Sequence, residues 1–472
     1  MRGTTRNRIR PNSRLRPEAA AALAAAFFIY PLFGGGAKAV SEEMLANQPK
    51  QEYRARRQGL MRQIKDGIVA LVGAREEDFG EVGRFRQKND FMYLTGVEVP
   101  ASYLLLVPEG VIEGKPSQEI LFVPPRNAFQ ERWTGPKIGP GAEAQQRFGI
   151  EEAASAEKFQ ERLRELLTAA KPGTRLYTIV PRGSTAQITR EHLFIETIKR
   201  ASPNLQVSDV SPFLAGMRLV KSPAEQALLQ KAIDITGDAQ RDTAATIKPG
   251  VFEYEAQAAL EYAFARNGAE RPGFPSIVGS GINSTVLHYN ENRKRIEAGD
   301  LVVVDIGAEY SYYTADITRT YPASGKFTDR QREIYQLVLD AQRAAEKAFK
   351  PGQSTISQLN RVASQVMKTS PLRDRNGNTL DRYFIHGLGH WLGMDVHDVG
   401  DYGKPIPAGA VFTIEPGIYI PDEKLGVRIE DDYLATETGL VKMSSRIPSE
   451  PDAVERMMTS SQTRAAGASS RK

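Results

Sequence analysis

The chain of 472 residues contains no cysteine. Disulfides, thiolate zinc sites and cysteine nucleophiles are therefore excluded, and any metal has to be held by oxygen and imidazole. Histidine is scarce as well, at five residues, so the places where it collects carry information. Long apolar runs are almost absent. The longest, AAAALAAAFFIYPLF at 19–33, falls short of the roughly 20 residues a bilayer-spanning helix needs. An excess of one charge is also missing from the body of the protein. The net +5 comes from the ends: residues 1–39 carry +6 and the last fourteen carry +3, which leaves residues 40–458 near −4. A charge distribution of that kind is no footprint for phosphate, and nucleic acid is not an expected partner.

The N-terminus has the three parts of a secretory signal. Arg2, Arg6, Arg8, Arg10, Arg14 and Arg16 precede the apolar run, and Ala37-Lys38-Ala39 supplies small residues for cleavage. Residues 1–39 are thus expected to direct export to the periplasm or beyond, and to act as a membrane anchor if left uncut. No stable membrane span is expected after cleavage. Residues 45–215 alternate short apolar strands (IVALVG, YLLLVP, EILFVPP, RLYTIV) with helical patterns, which reads as an α/β domain. Its one histidine, His192, is expected on a helix surface. At the boundary, Ser222 is a good N-cap and Pro223 a good first helical residue, opening a helix over 223–246. The histidine-rich and acid-patterned segments all follow, so the chemistry is placed in residues 220–458, with a polar, disordered tail over 459–472.

Three histidines, His386, His390 and His397, fall within HGLGHWLGMDVHDVG. Three glycines argue against a regular helix there, and no Glu follows His386 as in a zinc-protease HExxH helix, so a single imidazole ligand is expected. Carboxylates supply the rest. In LVVVDIGAEYSYYTADITRTYP (301–322) a turn centred on Tyr310 and Ser311 sets Asp305 opposite Asp316. In VFTIEPGIYIPDEKLGVRIEDDYLAT (411–436) a turn at 421–424 sets Glu415 opposite Glu430, with Arg428 on the face of Glu430. Opposed like charges are destabilising unless a cation lies between them. One histidine and four carboxylates can hold two divalent ions about 3.5–4 Å apart. Oxygen-rich ligation favours manganese and leaves cobalt, zinc and iron open.

These residues resemble the metallopeptidase superfamily of methionine aminopeptidase, aminopeptidase P and prolidase, over about residues 220–440. FRQKNDFMYLTG (85–96) resembles the N-terminal domain found in aminopeptidases P and prolidases and absent from simple methionine aminopeptidases. The resemblance implies an α/β (α+β) chain, with a creatinase/aminopeptidase P-like N-terminal domain followed by a pita-bread catalytic domain of two pseudo-symmetric halves. It also implies five metal ligands, Asp305, Asp316, His390, Glu415 and Glu430. Asp316 and Glu430 would bridge two ions, with Asp305 completing one and His390 and Glu415 the other. His288 would contact substrate near the scissile bond, His397 would stabilise the tetrahedral intermediate, and Arg428 would support the Glu430 region and substrate. His386 lies near the site, and Glu415 is the implied proton shuttle. The activity implied is metal-dependent release of the first residue from peptides with proline second, by a homo-oligomer (dimer or tetramer). A prolidase restricted to dipeptides is the alternative. A binding protein on the same fold would be expected to have lost ligands.

Overall fold

The computed structural model describes residues 44–79, 84–181 and 188–459. The expected export signal and nearly all of the expected tail lie outside the described residues. Among the described residues, no helix is long and apolar enough to cross a membrane.

The N-terminal part is built on a six-stranded mixed sheet. Its spatial order is Glu152–Ser155, Gln118–Val123, Tyr103–Val107, Gly67–Val72, Arg175–Thr178, Val207–Asp209. Successive side chains in a strand point to opposite faces, and here both faces are apolar. Ile68, Ala70, Leu105, Ile120 and Phe122 join one core with Phe159 and Leu163 of helix Phe159–Ala169. Val69, Leu71, Leu104 and Leu121 join another core, which extends to Leu229, Ile233, Tyr312, Leu392 and Met394 of the catalytic part. The sheet is thus packed against the segments that carry the site. His192 does more than sit on a surface. Half-buried, it is the third residue of helix Arg190–Ala201 and closes a capping box with Thr189, satisfying helix-end amides that would otherwise lack partners.

Helix Pro223–Thr246 starts at its Ser222 cap, whose hydroxyl accepts from Glu225 N–H while Glu225 accepts from Ser222 N–H. One arrangement then occurs twice. Helices Pro223–Thr246 and Glu253–Arg266 are followed by strands Ile277–Ser280, Leu301–Ile306 and Ile317–Pro322. Helices Asp329–Ala348 and Ile356–Thr369 are followed by Val411–Ile414, Gly417–Ile420, Leu425–Arg428 and Asp431–Ala435. A buried glutamine on the first helix of each half ties it to its strands. Gln240 donates to Val304 O (3.2 Å) and Ile317 O (2.8 Å), and Gln342 donates to Ile414 O (3.0 Å) and Asp431 Oδ2 (3.1 Å). The halves meet where Glu430 N–H donates to Thr318 O (3.1 Å) and Arg428 N–H donates to Thr320 Oγ1 (3.1 Å).

The first hairpin corrects the expected register. Asp305 pairs with Thr318, and Tyr310 with Tyr313, so the turn centres on Ser311 and Tyr312, one residue later than the spacing suggests. Asp316 falls opposite Gly307 by register and diagonal to Asp305 on the same face. Both turn residues have positive φ, 49° and 73°, which normally calls for Gly or Asn. Contacts with the N-terminal part hold Tyr312 there. Its hydroxyl accepts from Gln87 N–H (2.8 Å) and donates to Glu98 (2.7 Å), and Arg86 lies 4.5 Å from its ring. The second hairpin keeps the expected register. Ile414 pairs with Asp431 and Gly417 with Arg428, which leaves Glu415 and Glu430 opposite each other between the two ladders.

Candidate active site

The segment 388–392 runs alongside strand Val411–Ile414. Leu392 N–H donates to Val411 O (3.0 Å), Thr413 N–H to His390 O (2.9 Å) and Glu415 N–H to Leu388 O (2.7 Å). The approach is close enough that a Cβ on Gly389 would lie 2.0 Å from Thr413 O. Alternation then sends Trp391 into the core and His390 toward the carboxylates. His390 Nε2 lies 3.3 Å from Asp316 Oδ2, 3.4 Å from Glu415 Oε1 and 3.8 Å from Glu430 Oε1. Its other ring nitrogen, Nδ1, lies 3.1 Å from Trp391 O. An N–H donated there leaves the Nε2 lone pair facing the acids, the arrangement of a metal-ligating imidazole.

Asp305 completes the group from the first hairpin, where it accepts from Arg428 Nη2 (2.6 Å). Arg428 is buried and also donates to Tyr419 Oη (2.9 Å), Thr318 Oγ1 (3.1 Å) and Leu287 O (3.3 Å). His386 Nδ1 is 2.8 Å from Gly387 O and its Nε2 is 2.8 Å from Tyr419 Oη. Both of its ring nitrogens are therefore engaged within the protein. His288 and His397 are exposed on the wall of the same cavity of about 570 Å³, which has Phe274, Pro275 and Leu287 as apolar lining. The structure thus brings all the expected site residues to one cavity, with His386 held behind Glu415 and not free to accept an ion.

Burial pushes the Asp316 and Glu430 carboxyls well above the usual range, reinforced by the neighbouring acids, and raises Glu415 to about 8. Burial also lowers His390 to about 4, with His397 adding to the effect. These groups are poor in cations of the protein's own, since Arg428 is bonded only to Asp305 among them. Asp305 Oδ1, Asp316 Oδ1 and Glu430 Oε1 are buried acceptors with no hydrogen-bond partner among the described residues. Buried acceptors are normally satisfied, and a cluster of unanswered carboxylate oxygens beside a free imidazole lone pair fits a divalent cation. Donor atoms of Asp316, His390 and Glu430 all lie within 4.8 Å of one another.

Sequence reasoning missed Thr318 and Asp432, two of the residues that hold the acids. Thr318 donates to Glu430 Oε2 (2.6 Å), Thr413 donates to Glu415 Oε1 (3.3 Å), and Asp432 accepts from Asp316 N–H (3.2 Å). Thr318 lies two residues from Asp316, and Asp432 two residues from Glu430. The period-two rule could have placed each on the face of its acid.

Comparison with known proteins agrees with this geometry. Residues 227–437 match the model for metallopeptidase family M24, and residues 53–177 match that for the aminopeptidase P N-terminal domain. The chain is 34% identical over 437 residues to the Xaa-Pro aminopeptidase of Escherichia coli, covering 87% of this chain and 98% of the relative. Zinc-substituted E. coli aminopeptidase P in complex with product superposes with a TM-score of 0.78 at 32% identity, over 88% of this chain and 99% of that one. The Xaa-Pro dipeptidase of Pyrococcus furiosus is 38% identical but covers only 57% of this chain and 76% of its own length. The chain therefore belongs to metallopeptidase family M24, among its Xaa-Pro aminopeptidases, and is a metallo-exopeptidase with an aminopeptidase P N-terminal domain ahead of a pita-bread catalytic domain.

Proposed function

We propose that this protein hydrolyses the bond between an N-terminal residue and a following proline, using two divalent ions, with manganese as the working metal. The observation that carries the reading is the set of three carboxylates within 4 Å of His390 Nε2, with buried oxygens of Asp316, Glu430 and the neighbouring Asp305 left without a partner among the described residues. Two divalent ions match the charge of four carboxylates, and the oxygen-rich donors suit manganese. Asp305, Asp316, His390, Glu415 and Glu430 are the residues that would hold the ions. Bound there, the ions supply the positive charge that polarises a carbonyl and acidifies water.

The chain's own groups do the rest. Glu415 takes a proton from the attacking water at a carboxylate oxygen and returns it to the prolyl nitrogen as the bond breaks. His288 and His397, on the cavity wall, donate to the carbonyl oxygen as charge develops on it. Arg428 fixes Asp305 and, through Tyr419, the ring of His386. An Xaa-Pro bond offers no N–H, so the proline has to be recognised by shape. Phe274, Pro275 and Leu287 offer apolar walls for the pyrrolidine.

The dipeptidase reading is the weaker one, because the dipeptidase match spans little more than half of the chain. We also assign a homo-oligomeric state and an exported location. The first is supported by the exposed Phe129 and Trp133 on helix Ala128–Thr134, the second by the leader-like residues 1–39. The deciding experiment strips metal, restores manganese, and offers Ala-Pro-Ala, Ala-Pro and Ala-Ala-Ala. Release of alanine from the proline tripeptide supports the reading. Cleavage of Ala-Pro alone makes it a prolidase, and equal cleavage of Ala-Ala-Ala removes the proline requirement.

A further inference from the structure

The active-site cavity does not end at His397. A second cavity of about 640 Å³ shares Phe274, Pro275, Val396 and His397 with it and continues to Arg86, Arg271 and Glu309. Nothing in the catalytic assignment uses this extension, yet it is a constructed polar site. Glu309 is buried and bridges two guanidinium groups. Arg86 Nε donates to its Oε1 (3.0 Å), while Arg271 Nε donates to Oε1 (3.0 Å) and Nη2 to Oε2 (3.3 Å). Arg86 is pinned further by Met394 O (3.4 Å) and the ring of Tyr312. The other acid of the groove, Asp395, is matched by Arg218 at 2.7 Å. One carboxylate thus answers two arginines, with Glu309 Oε1 shared between Arg86 Nε and Arg271 Nε. The side chain of Arg271 is 37% exposed, and its Nη1 has no hydrogen-bond partner among the described residues. It is a guanidinium whose fork is held in place from behind, with donors left to offer.

We propose that this groove binds the C-terminal carboxylate of a short peptide substrate, and that Arg271 is the residue that recognises it. The proposal rests on the aminopeptidase reading above and extends it to the substrate class: peptides ending one or two residues after the proline. An exopeptidase that cuts after residue one must give the remaining chain a way out. The groove that opens beyond His397 is such a way, and the exposed edge of Arg271 presents N–H donors in it that a carboxylate can accept and an α-ammonium cannot. Arginine is suited to the task because its planar fork matches a carboxylate through two parallel hydrogen bonds.

The test compares Ala-Pro-Ala and Ala-Pro-Ala-Ala with their C-terminal amides, using the metal-loaded full chain. The quantity read is the ratio of kcat/KM for acid to amide. In the wild type the ratio should be about tenfold for at least one length, carried by KM, and should shrink as salt screens the contact. In Arg271→Met it should fall to near one, and Arg271→Lys, which keeps the charge, should restore part of it. A wild-type ratio near one at both lengths overturns the proposal, as does a ratio in Arg271→Met equal to wild type, including the case where acid and amide fall together. Failure to cleave any of the four peptides would instead strike the aminopeptidase reading.

Discussion

Arg428 Nη2 lies 2.6 Å from Asp305 Oδ2, and the same guanidinium holds Thr318 and Tyr419. One buried cation thus fixes an acid of the first hairpin from the second, in addition to the backbone bond from Glu430 N–H to Thr318 O that joins the two halves. Lysine offers a point charge and cannot reproduce the fork. Arg428→Lys should fold, since a cation remains beside Asp305, but should lower kcat/KM by about 10–100-fold, the usual range for residues that orient metal ligands. Steady-state kinetics with metal content measured on the same sample checks this. Wild-type turnover in the variant would show that Asp305 needs no such support.

Thr318 makes a narrower case. Its hydroxyl donates to Glu430 Oε2 at 2.6 Å and accepts from Arg428 Nε at 3.1 Å. Thr318→Val keeps the branched shape and removes both bonds, leaving buried polar groups without a partner at about 1–3 kcal/mol. A loss of about 10-fold or more in metal affinity is expected, with the melting temperature of the metal-free protein lowered by a few degrees. Titration calorimetry of the stripped protein reads the first, and thermal unfolding the second.

Thr318 also marks the limit of what was legible. Residue types and spacing were enough to bring Glu415 opposite Glu430, because the turn at 421–424 carries ordinary turn residues and both ladders share one register. They misplaced Asp316 by one turn position. The Ser311–Tyr312 turn has no Gly or Asn to announce it and is held by Gln87, Glu98 and Arg86 from a distant part of the chain. Long-range contacts of this kind leave no local signal. Helix Pro223–Thr246, by contrast, begins and ends as its cap and periodicity require, since those forces act within a few residues. The Arg86–Glu309–Arg271 groove was invisible for the same reason as the turn: its members come from three separated segments.

Proton release should accompany metal binding. Burial raises Glu415 to about 8 and carries Asp316 and Glu430 well above the usual carboxylate range, so the metal-free site holds protons at neutral pH. A carboxyl whose folded pKa is raised adds stability below its unfolded value, near 4.5, and that stability is lost as pH rises through the folded value. The metal-free protein should therefore become less stable between about pH 4.5 and 8. Metal replaces the protons, so the melting-temperature gain on adding manganese should be larger at pH 8.5 than at pH 6, and the binding enthalpy should vary with the ionisation enthalpy of the buffer. A gain independent of pH would mean that the acids are already ionised without metal.

Helix Ala128–Thr134 turns Phe129 and Trp133 outward, 69% and 79% exposed. Aromatic residues left in water this fully are typical of contact surfaces. Light scattering on a sizing column should report an oligomer for the wild type and a shift toward monomer for the Phe129→Ser, Trp133→Ser double variant at equal loading. A monomeric wild type would remove the oligomer from the proposed function.

Arg218 joins the N-terminal part to the histidine segment. It bonds Asp90 (2.8 Å), Asp395 (2.7 Å) and Asp398 (2.5 Å), and Lys221 Nζ reaches Asp398 from the other side at 3.1 Å. Burial raises the Asp398 pKa, but Lys221 and Arg218 together hold it below the usual carboxylate value. A depressed carboxylate contributes stability above its unfolded pKa, near 3.8, and that contribution is lost as pH falls through the folded value. Asp398 follows His397 directly, so the ion network also sets the chain that carries an imidazole of the cavity wall. Arg218→Met removes one partner of a buried, hydrogen-bonded cluster, for which about 3–5 kcal/mol is the expected cost. Arg218→Lys should recover part of it through charge alone. If Arg218→Met lost stability but kept wild-type kcat and KM at a temperature where it is folded, the network would be serving the packing of the two parts and not the position of His397.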